Sequence, residues 1–533
     1  MPSLDIAAES RIEAAPMKKT SLLHRGSLAL TALLLALAGI PFFYLFQRAS
    51  GASGSEISAL LFREKTFSIF FNTFSLIFLV SLGAVLIGAG FATLLYAVKI
   101  TRSALFLLLA TLPLAIPSYV FTYSWIAIFP WFRGIWAAAL VLTFSTMPYI
   151  FLATYAALRR VDLVQIEVAR SLGFNRLEVF TKIVLPQIRG AIGASLLLVI
   201  LYVLSDFGAV SLLGVDTFTR TIQNLYKASF DRQSAAILGL ILMFIAATII
   251  LIEERVHKKN IASNSSVRVQ SSASLITKPM AKLASLSLIV IYSFLALALP
   301  AYVLTTRMIA NFQGIDYPAL ASATFNTLLV STFGAIIAIA FALPLSWTII
   351  ATRSRFALFT EKVVLITHAL PGVVLGLSLV AFGSKISWLY QSVGLLSFAY
   401  ALLFLAKAVG NTRASMEKIP PILKEVSLTL GVSPLSTFRK ITLPLAAPGI
   451  WVGFLLVLLT AMKELPATLM LRPTGFETLA VEIWSASTLS QFNQAAPYAF
   501  TLIALAAIPT FILSRPDRIQ QESNHVEKER WRE

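Results

Sequence analysis

Apolar residues in this chain gather into runs of about twenty, separated by short polar stretches, and a helix of that length crosses the roughly 30 Å hydrocarbon layer of a membrane. The runs fall near 27–46, from 67 to just before Lys99, and at 104–128, 136–158, 192–213 and 235–252. A second set follows near 283–303, 324–350, 363–382, 388–409, 450–471 and 495–513. The pattern predicts about twelve transmembrane helices, six in each set. Pro113 and Pro117 inside the third run, and Pro371 inside the ninth, remove backbone donors and should break those helices beside any pathway. Barrel strands alternate apolar and polar residues, so the continuous runs exclude a barrel. The expected fold is an all-α polytopic membrane protein.

Between the two sets, residues 253–282 are rich in Ser, Asn and Lys without apolar periodicity, as a flexible linker should be. This divides the chain into a polar segment 1–26, a first half 27–252, the linker, a second half 283–514 and a tail 515–533. The halves are related. Glu167–Pro186 reads EVARSLGFNRLEVFTKIVLP and Glu425–Pro444 reads EVSLTLGVSPLSTFRKITLP, with Glu, Gly, Ile, Leu and Pro at one constant offset of 258 residues. Phe71-Asn72-Thr73 recurs as Phe325-Asn326-Thr327, Thr101-Arg102-Ser103 as Thr352-Arg353-Ser354, and Leu112-Pro113 as Leu370-Pro371, the last again at 258. With six spans per half, the halves are parallel rather than inverted repeats.

Charge refines this picture. Only 13% of residues are charged against 57% hydrophobic, with mean hydropathy +0.81, too few charges to clothe a soluble protein of 533 residues. The net charge of +18 could suggest nucleic acid. Lys and Arg instead sit in the segments between spans: the amino terminus with Lys18, Lys19 and Arg25, Lys99 with Arg102, the loops 159–190 and 417–448, the linker, Arg353 with Arg355, and the tail. Placing all of these in the cytoplasm satisfies the positive-inside rule, puts both termini there and leaves no need for a nucleic-acid partner. No cleavage site ends the first run, so it is expected to remain as a span. Cysteine is absent, which removes disulfide and thiolate chemistry.

The repeated loops each contain a helical segment beginning near Glu, a Gly that permits a tight turn, and a second segment expected to end at Leu-Pro before the next span. Such a loop makes a rigid bent finger on the cytoplasmic face. It resembles the signature of the inner-membrane permeases of binding-protein-dependent ABC importers: Glu-Ala-Ala, three residues, Gly, nine residues, Ile, one residue, Leu-Pro. Glu167, Ala169, Gly173, Ile183, Leu185 and Pro186 match, as do Glu425, Gly431, Ile441, Leu443 and Pro444. Val168, Val426 and Ser427 depart from it. The resemblance implies that 159–190 and 417–448 dock into ATP-hydrolysing subunits. No G-x-x-x-x-G-K-[ST] phosphate loop occurs in the chain, so a separate subunit must use ATP and Mg. As both halves are present, two ATPase copies should bind, together with a periplasmic substrate-binding protein at a bacterial inner membrane. No catalytic residue, cofactor or resident metal is expected in this chain.

Met462–Trp484 and Ser205–Gly214 further resemble the fused permeases of ferric-iron importers, and thiamine, polyamine and aminophosphonate permeases share parts of the pattern. Asp206 and Glu464, related by the 258 offset, lie in or beside apolar spans, where an ionised carboxylate costs about 2.5 to 3.5 kcal/mol. They either face each other across the path and attract a cation, or are helix-end acids paired locally, Glu464 with Lys463. Tyr119, Tyr123, Tyr202 and His368 are better explained as hydrogen-bonding bundle residues than as metal ligands. Arg472 and Glu477, in an outward loop, are either solvated or in contact with the binding protein. The many Phe are expected to face lipid. An ion-coupled secondary transporter would use Asp206 and Glu464 as coupling acids but leaves the paired fingers unexplained. A membrane enzyme lacks a catalytic cluster.

Overall fold

An apolar segment in a membrane leaves its backbone polar groups no partner but each other, and the computed structural model answers with helices throughout. It describes residues 22–97, 103–227, 229, 231–263, 279–352, 355–368 and 370–514. Most of segment 1–26, Lys99 with Arg102, Arg353, the middle of the linker and the tail lie outside the described residues.

Among the described residues ten helices are long and apolar enough to cross a membrane, or twelve when two sharply bent pairs count as one span each. Spans 1, 2, 4 and 6 are Leu22–Ala49, Glu64–Ala97, Ile135–Leu158 and Arg232–Ser263. Span 7 joins Pro279–Ser293 to Leu299–Ala310 through one π-helical turn. Spans 8, 10 and 12 are Tyr317–Thr352, Val393–Glu417 and Phe492–Ser514. The bent pairs are spans 3 and 9. Ser103–Thr111 continues through Leu112–Ala115 and turns 94° into Ser118–Ile128, while Arg355–His368 turns 107° into Gly372–Gly383. Both second legs are enclosed by protein, all of Ser118 to Ala127 being buried. The expected breaks are therefore present, with one correction to the pairing of the repeats. Pro117 and Pro371 each stand at the N-cap of a second leg in extended conformation (ψ 147° and 142°), whereas Pro113 sits one turn earlier. Pro371 corresponds to Pro117 at the offset shown by the Phe-Asn-Thr motif, not to Pro113.

Spans 5 and 11 differ most from the expectation. Each begins in a finger: Arg176–Ser205 and Pro434–Ala461 run as single rods, and Leu185-Pro186 and Leu443-Pro444 lie inside them rather than ending a segment. The chain admits these prolines by widening the preceding turn, so that the Leu185 N–H reaches the Phe180 carbonyl and the Leu443 N–H the Phe438 carbonyl, five residues back. Phe294 and Leu299 repeat the arrangement before Pro300. Phe, four residues, Leu-Pro thus marks all three described π turns. At their far ends both rods stop early, at Ser205 and Ala461, and short helices Gly208–Leu212 and Pro466–Leu471 continue in place of the unbroken spans to 213 and 471 that the apolar runs predict. Those short helices are buried against the second legs of spans 3 and 9, which is why their sequences are as apolar as a span. Trp388, expected to open span 10, lies exposed in the preceding turn. Linker residues 253–263 and 279–282 are helical, extending spans 6 and 7.

The halves interlock. Span 1 packs on spans 8 and 9 of the other half, and span 7 packs on spans 2 and 3. The repeated Phe-Asn-Thr motif now has a purpose, for Asn72 Nδ2 donates to the Asp216 carbonyl (3.2 Å) and Asn326 Nδ2 to the Glu477 carbonyl (2.9 Å), fastening an outer loop in each half. Phe67, Phe71 and Phe78 are exposed along span 2, as lipid-facing residues should be. Span 2 meets span 4 through Gly88, where an added Cβ would lie 2.9 Å from the Met147 carbonyl oxygen, a backbone atom that cannot step aside. Gly88→Ala should therefore lower stability by about 1 to 3 kcal/mol. Gly90→Ala, two residues on with open space around it, should not. Melting temperatures of the two variants in detergent check this.

Candidate functional site

Two regions collect the residues singled out by sequence. The first is the pair of fingers. Leu163–Ser171 ends at Gly173, whose φ of +85° and hydrogen bonds (Gly173 N–H to Arg170 O and Phe174 N–H to Ala169 O, both 3.1 Å) make a left-handed helix stop. Arg176–Val179 then starts on an Asn175 cap. Pro421–Thr429, Gly431 at φ +80° and Pro434–Thr437 with its Ser433 cap repeat the geometry. Glu178 accepts the Asn175 N–H and pairs with Lys182, which holds its carboxyl below the usual range.

Within each finger the third signature position is the buried one. Ala169 is covered in the first, and Ser427 in the second, where its hydroxyl pairs with Thr437 at 2.9 Å. Val179 stands where Thr437 does and is buried like Ala169, so two buried apolar residues in one copy correspond to a hydrogen-bonded pair in the other. Glu167 is exposed and Glu425 half-buried. On the outer face, Val164, Val168 and Leu172 recur every fourth residue, as do Ile422, Val426 and Leu430, and all six are exposed, Leu172 and Leu430 by 71% and 77%. Each finger presents an apolar stripe where a solvated loop would carry polar residues. The signature motif includes only the middle residue of each stripe, Val168 or Val426, although the four-residue spacing is legible in the sequence.

The second region is a cavity of about 540 Å³ between the halves, lined by both Asp206 and Glu464. Each acid caps the short helix after its rod. Asp206 Oδ1 accepts the N–H groups of Ala209 (3.0 Å) and Val210 (3.4 Å), and Oδ2 accepts the Ser118 hydroxyl at 2.5 Å. Glu464 Oε1 accepts the Ala467 N–H at 3.1 Å. Their carbonyls are satisfied too, by Thr219 at 2.6 Å and Thr468 at 2.5 Å. Ser118 and Gly372 open the second legs of spans 3 and 9. Where Asp206 meets the Ser118 hydroxyl, the longer Glu464 fills the space a side chain at Gly372 would need. Asp206 and Glu464 therefore line one cavity, and both are also locally bonded helix-end acids. The expected Lys463–Glu464 pairing is not formed, because Lys463 Nζ donates instead to the Leu114 carbonyl of the first half at 2.9 Å.

Tyr119 and Tyr202 line the cavity, whereas Tyr123 spends its hydroxyl on the Phe492 carbonyl at 2.7 Å. His368 is there with Nδ1 paired to the Leu403 carbonyl. Pro117 lines it; Pro113 and Pro371 do not. Lys407, absent from the candidates drawn from sequence, also faces it, although a lone Lys in the apolar run of span 10 is signal enough. Among the described residues no three His, Asp or Glu side chains converge as a metal site would require. Arg472 and Glu477 pair with each other in the outer loop.

A family model described as a binding-protein-dependent transport system inner membrane component matches residues 84–260 and again 348–519. The Fe(3+)-transport system permease protein FbpB 2 of Haemophilus influenzae is 33% identical over 492 residues, covering 91% of this chain and 97% of that protein. A putative 2-aminoethylphosphonate transport system permease protein, PhnV, of Salmonella typhimurium is 31% identical over 38% of the chain and 77% of its own length. The molybdate/tungstate transport system permease protein WtpB of Pyrococcus abyssi is 27% identical over 36% of the chain and 78% of its own length.

If the acids act chiefly as caps, Asp206→Asn should keep near-normal stability, since its amide oxygen still accepts from Ala209 and Val210. Asp206→Ala strands those N–H groups and the Ser118 hydroxyl in a buried site and should cost about 1 to 3 kcal/mol. Thermal unfolding of the two variants, side by side, separates the cap from the charge.

Proposed function

This chain belongs to the family of binding-protein-dependent transport system inner membrane components, and we propose that it forms alone the membrane pathway of an ATP-driven importer of ferric iron. Membership rests on two family matches in one chain, so the protein is a multi-pass transport permease and carries two copies of the unit. The iron assignment is supported by the relative that aligns along nearly its whole length, fused halves included, and is a permease for Fe(3+). The phosphonate and molybdate relatives each align over less than half of this chain. Thiamine, polyamine or aminophosphonate import by the same machinery is the reading that remains if iron fails.

The observation that carries the mechanism is the pair of fingers with exposed apolar stripes. Residues repeating every fourth position on one helix face are the anchors a helix lays into a partner's groove. The partners proposed are two copies of an ATPase subunit, which bind ATP and Mg, while this chain binds neither. The second segment of each finger is the end of a continuous helix of about 42 to 45 Å, from 1.5 Å per residue. Its other end is the break at Asp206 or Glu464, on the wall of the cavity. Closing the ATPases moves the fingers, and the rods carry that movement to the cavity, so that the halves open to one side and then the other. A periplasmic binding protein delivers the substrate on the side opposite the fingers, and both termini lie with the fingers in the cytoplasm of a bacterium, in its inner membrane. An ion-driven carrier has no use for the two fingers.

Leu172→Asp with Leu430→Asp puts a charge into each stripe without touching a buried residue. The double variant should fold normally, fail to co-purify with its partner ATPase, and lose ATP-dependent uptake of labelled Fe(III) by at least about tenfold. Uptake that persists, or that follows an ion gradient instead of ATP, defeats the proposal. Uptake of thiamine, putrescine or aminoethylphosphonate in place of iron leaves the permease standing and removes iron.

A further inference from the structure

The cavity between the halves holds four formal charges, Asp206, Glu464, Lys407 and Lys463, which cancel. Their hydrogen-bonding capacity does not. Asp206 has both oxygens occupied, and Glu464 has Oε1 occupied. The Lys407 ammonium, by contrast, has no hydrogen bond or ion pair within 4 Å among the described residues; it lies over the Phe404 ring, 5.1 Å from its centroid. Lys463 uses one of three N–H groups, on the Leu114 carbonyl. Tyr119 and Ser145, each 4% exposed, line the same space with hydroxyls that have no hydrogen-bond partner among the described residues. What remains unspent is mostly donor capacity, and it is gathered around two ammonium groups.

We propose that this cavity is a transit site for an oxyanion, held by the Lys407 and Lys463 ammonium groups with the Tyr119 and Ser145 hydroxyls as further donors. A bare trivalent cation entering here meets two ammonium groups as well as two carboxylates, and three of the four carboxylate oxygens are already spent on hydrogen bonds, so little acceptor capacity is left to replace its hydration shell. A tetrahedral or planar oxyanion finds unspent donors at two ammonium groups and two hydroxyls, and charge-assisted hydrogen bonds to ammonium are among the strong ones. A cavity of about 540 Å³ has room for such an anion with a metal ion attached. Two sources supply that chemistry: free oxyanion, or oxyanion that travels as a ligand of the transported metal. The proposal builds on the permease reading, but its test requires no ATPase, binding protein or uptake, so one can fail while the other stands.

The test is equilibrium binding of phosphorus-32 phosphate to the full-length chain in lipid nanodiscs, with phosphate alone and with equimolar Fe(III). Saturable binding of one phosphate per chain is expected, weakened about tenfold or more by Lys407→Gln or Lys463→Gln, recovered by Lys407→Arg, and unaffected by Tyr123→Phe. Binding of phosphate alone supports free oxyanion as the ligand, and binding only with Fe(III) supports an anion borne by the metal. No binding in either condition, or Gln variants that bind like the parent, overturns the proposal. Where a Gln variant does not fold, the unmodified protein gives the answer: phosphate should slow acylation of Lys407 and Lys463, read by mass spectrometry, and the absence of protection is equally decisive against it.

Discussion

Backbone polar groups inside a membrane need partners, and among the described residues four helix breaks surround one space, two of them capped by acidic side chains and two closed by backbone turns. Two breaks follow the long rods, at Asp206 and Glu464, and two lie within spans 3 and 9, at Pro117 and Pro371. The acids cap the short helices, Thr219 and Thr468 bond the acids' own carbonyls, Ser118 holds Asp206, and Tyr400 in turn holds Thr468 at 2.5 Å. Because unwound backbone is tolerated only where protein or a polar cavity surrounds it, the breaks cluster around one space between the halves. The cavity is a consequence of the breaks, and its polar lining is in part what makes them possible.

Most of the architecture is legible in the sequence because transmembrane spans and duplicated motifs are strong signals. Where the pattern misleads, local signals are ambiguous. Burial against protein and burial in lipid select the same residues, so the short helices after Asp206 and Glu464 look like the last turns of a span. Leu-Pro reads as a stop because proline usually ends a helix, but Phe180, Phe294 and Phe438 each open a widened turn that passes it. The fingers are marked by Gly173 and Gly431, whose positive φ only glycine adopts readily. The apolar stripe ahead of each glycine carries no such marker and shows only in its four-residue spacing. Lys407 is conspicuous as a lone cation in an apolar run. The contact of Lys463 with Leu114 is not, since nothing in local sequence links residues 349 apart.

The duplication allows each half to serve as a reference for the other, and the substitutions between them come in compensating pairs. Ala169 with Val179 becomes Ser427 with Thr437, exchanging packing for a hydrogen bond. Ser118 with Asp206 becomes Gly372 with Glu464, moving one side chain's bulk from the leg to the acid. Such pairs keep the backbone fixed while its surroundings drift. They also show where the halves have ceased to be equivalent.

That loss of equivalence is greatest in the cavity. At the 258-residue offset, Lys407 stands opposite Tyr149 and Lys463 opposite Ser205, so both ammonium groups come from the second half and the neutral hydroxyls at those positions from the first. One wall is cationic and the other is not. Lys463 bridges to Leu114 across the seam in the cavity wall, and spans 1 and 7 brace the seam by reaching over it to the other half. A rocking movement that parts the walls therefore separates Lys407 from the Tyr119 and Ser145 hydroxyls without breaking any bond that Lys407 makes. A ligand held between them loses half of its donors at that moment. Two identical walls would part symmetrically, whereas an oxyanion bound as proposed would stay with the ammonium wall until water reached it and screened the attraction that held it.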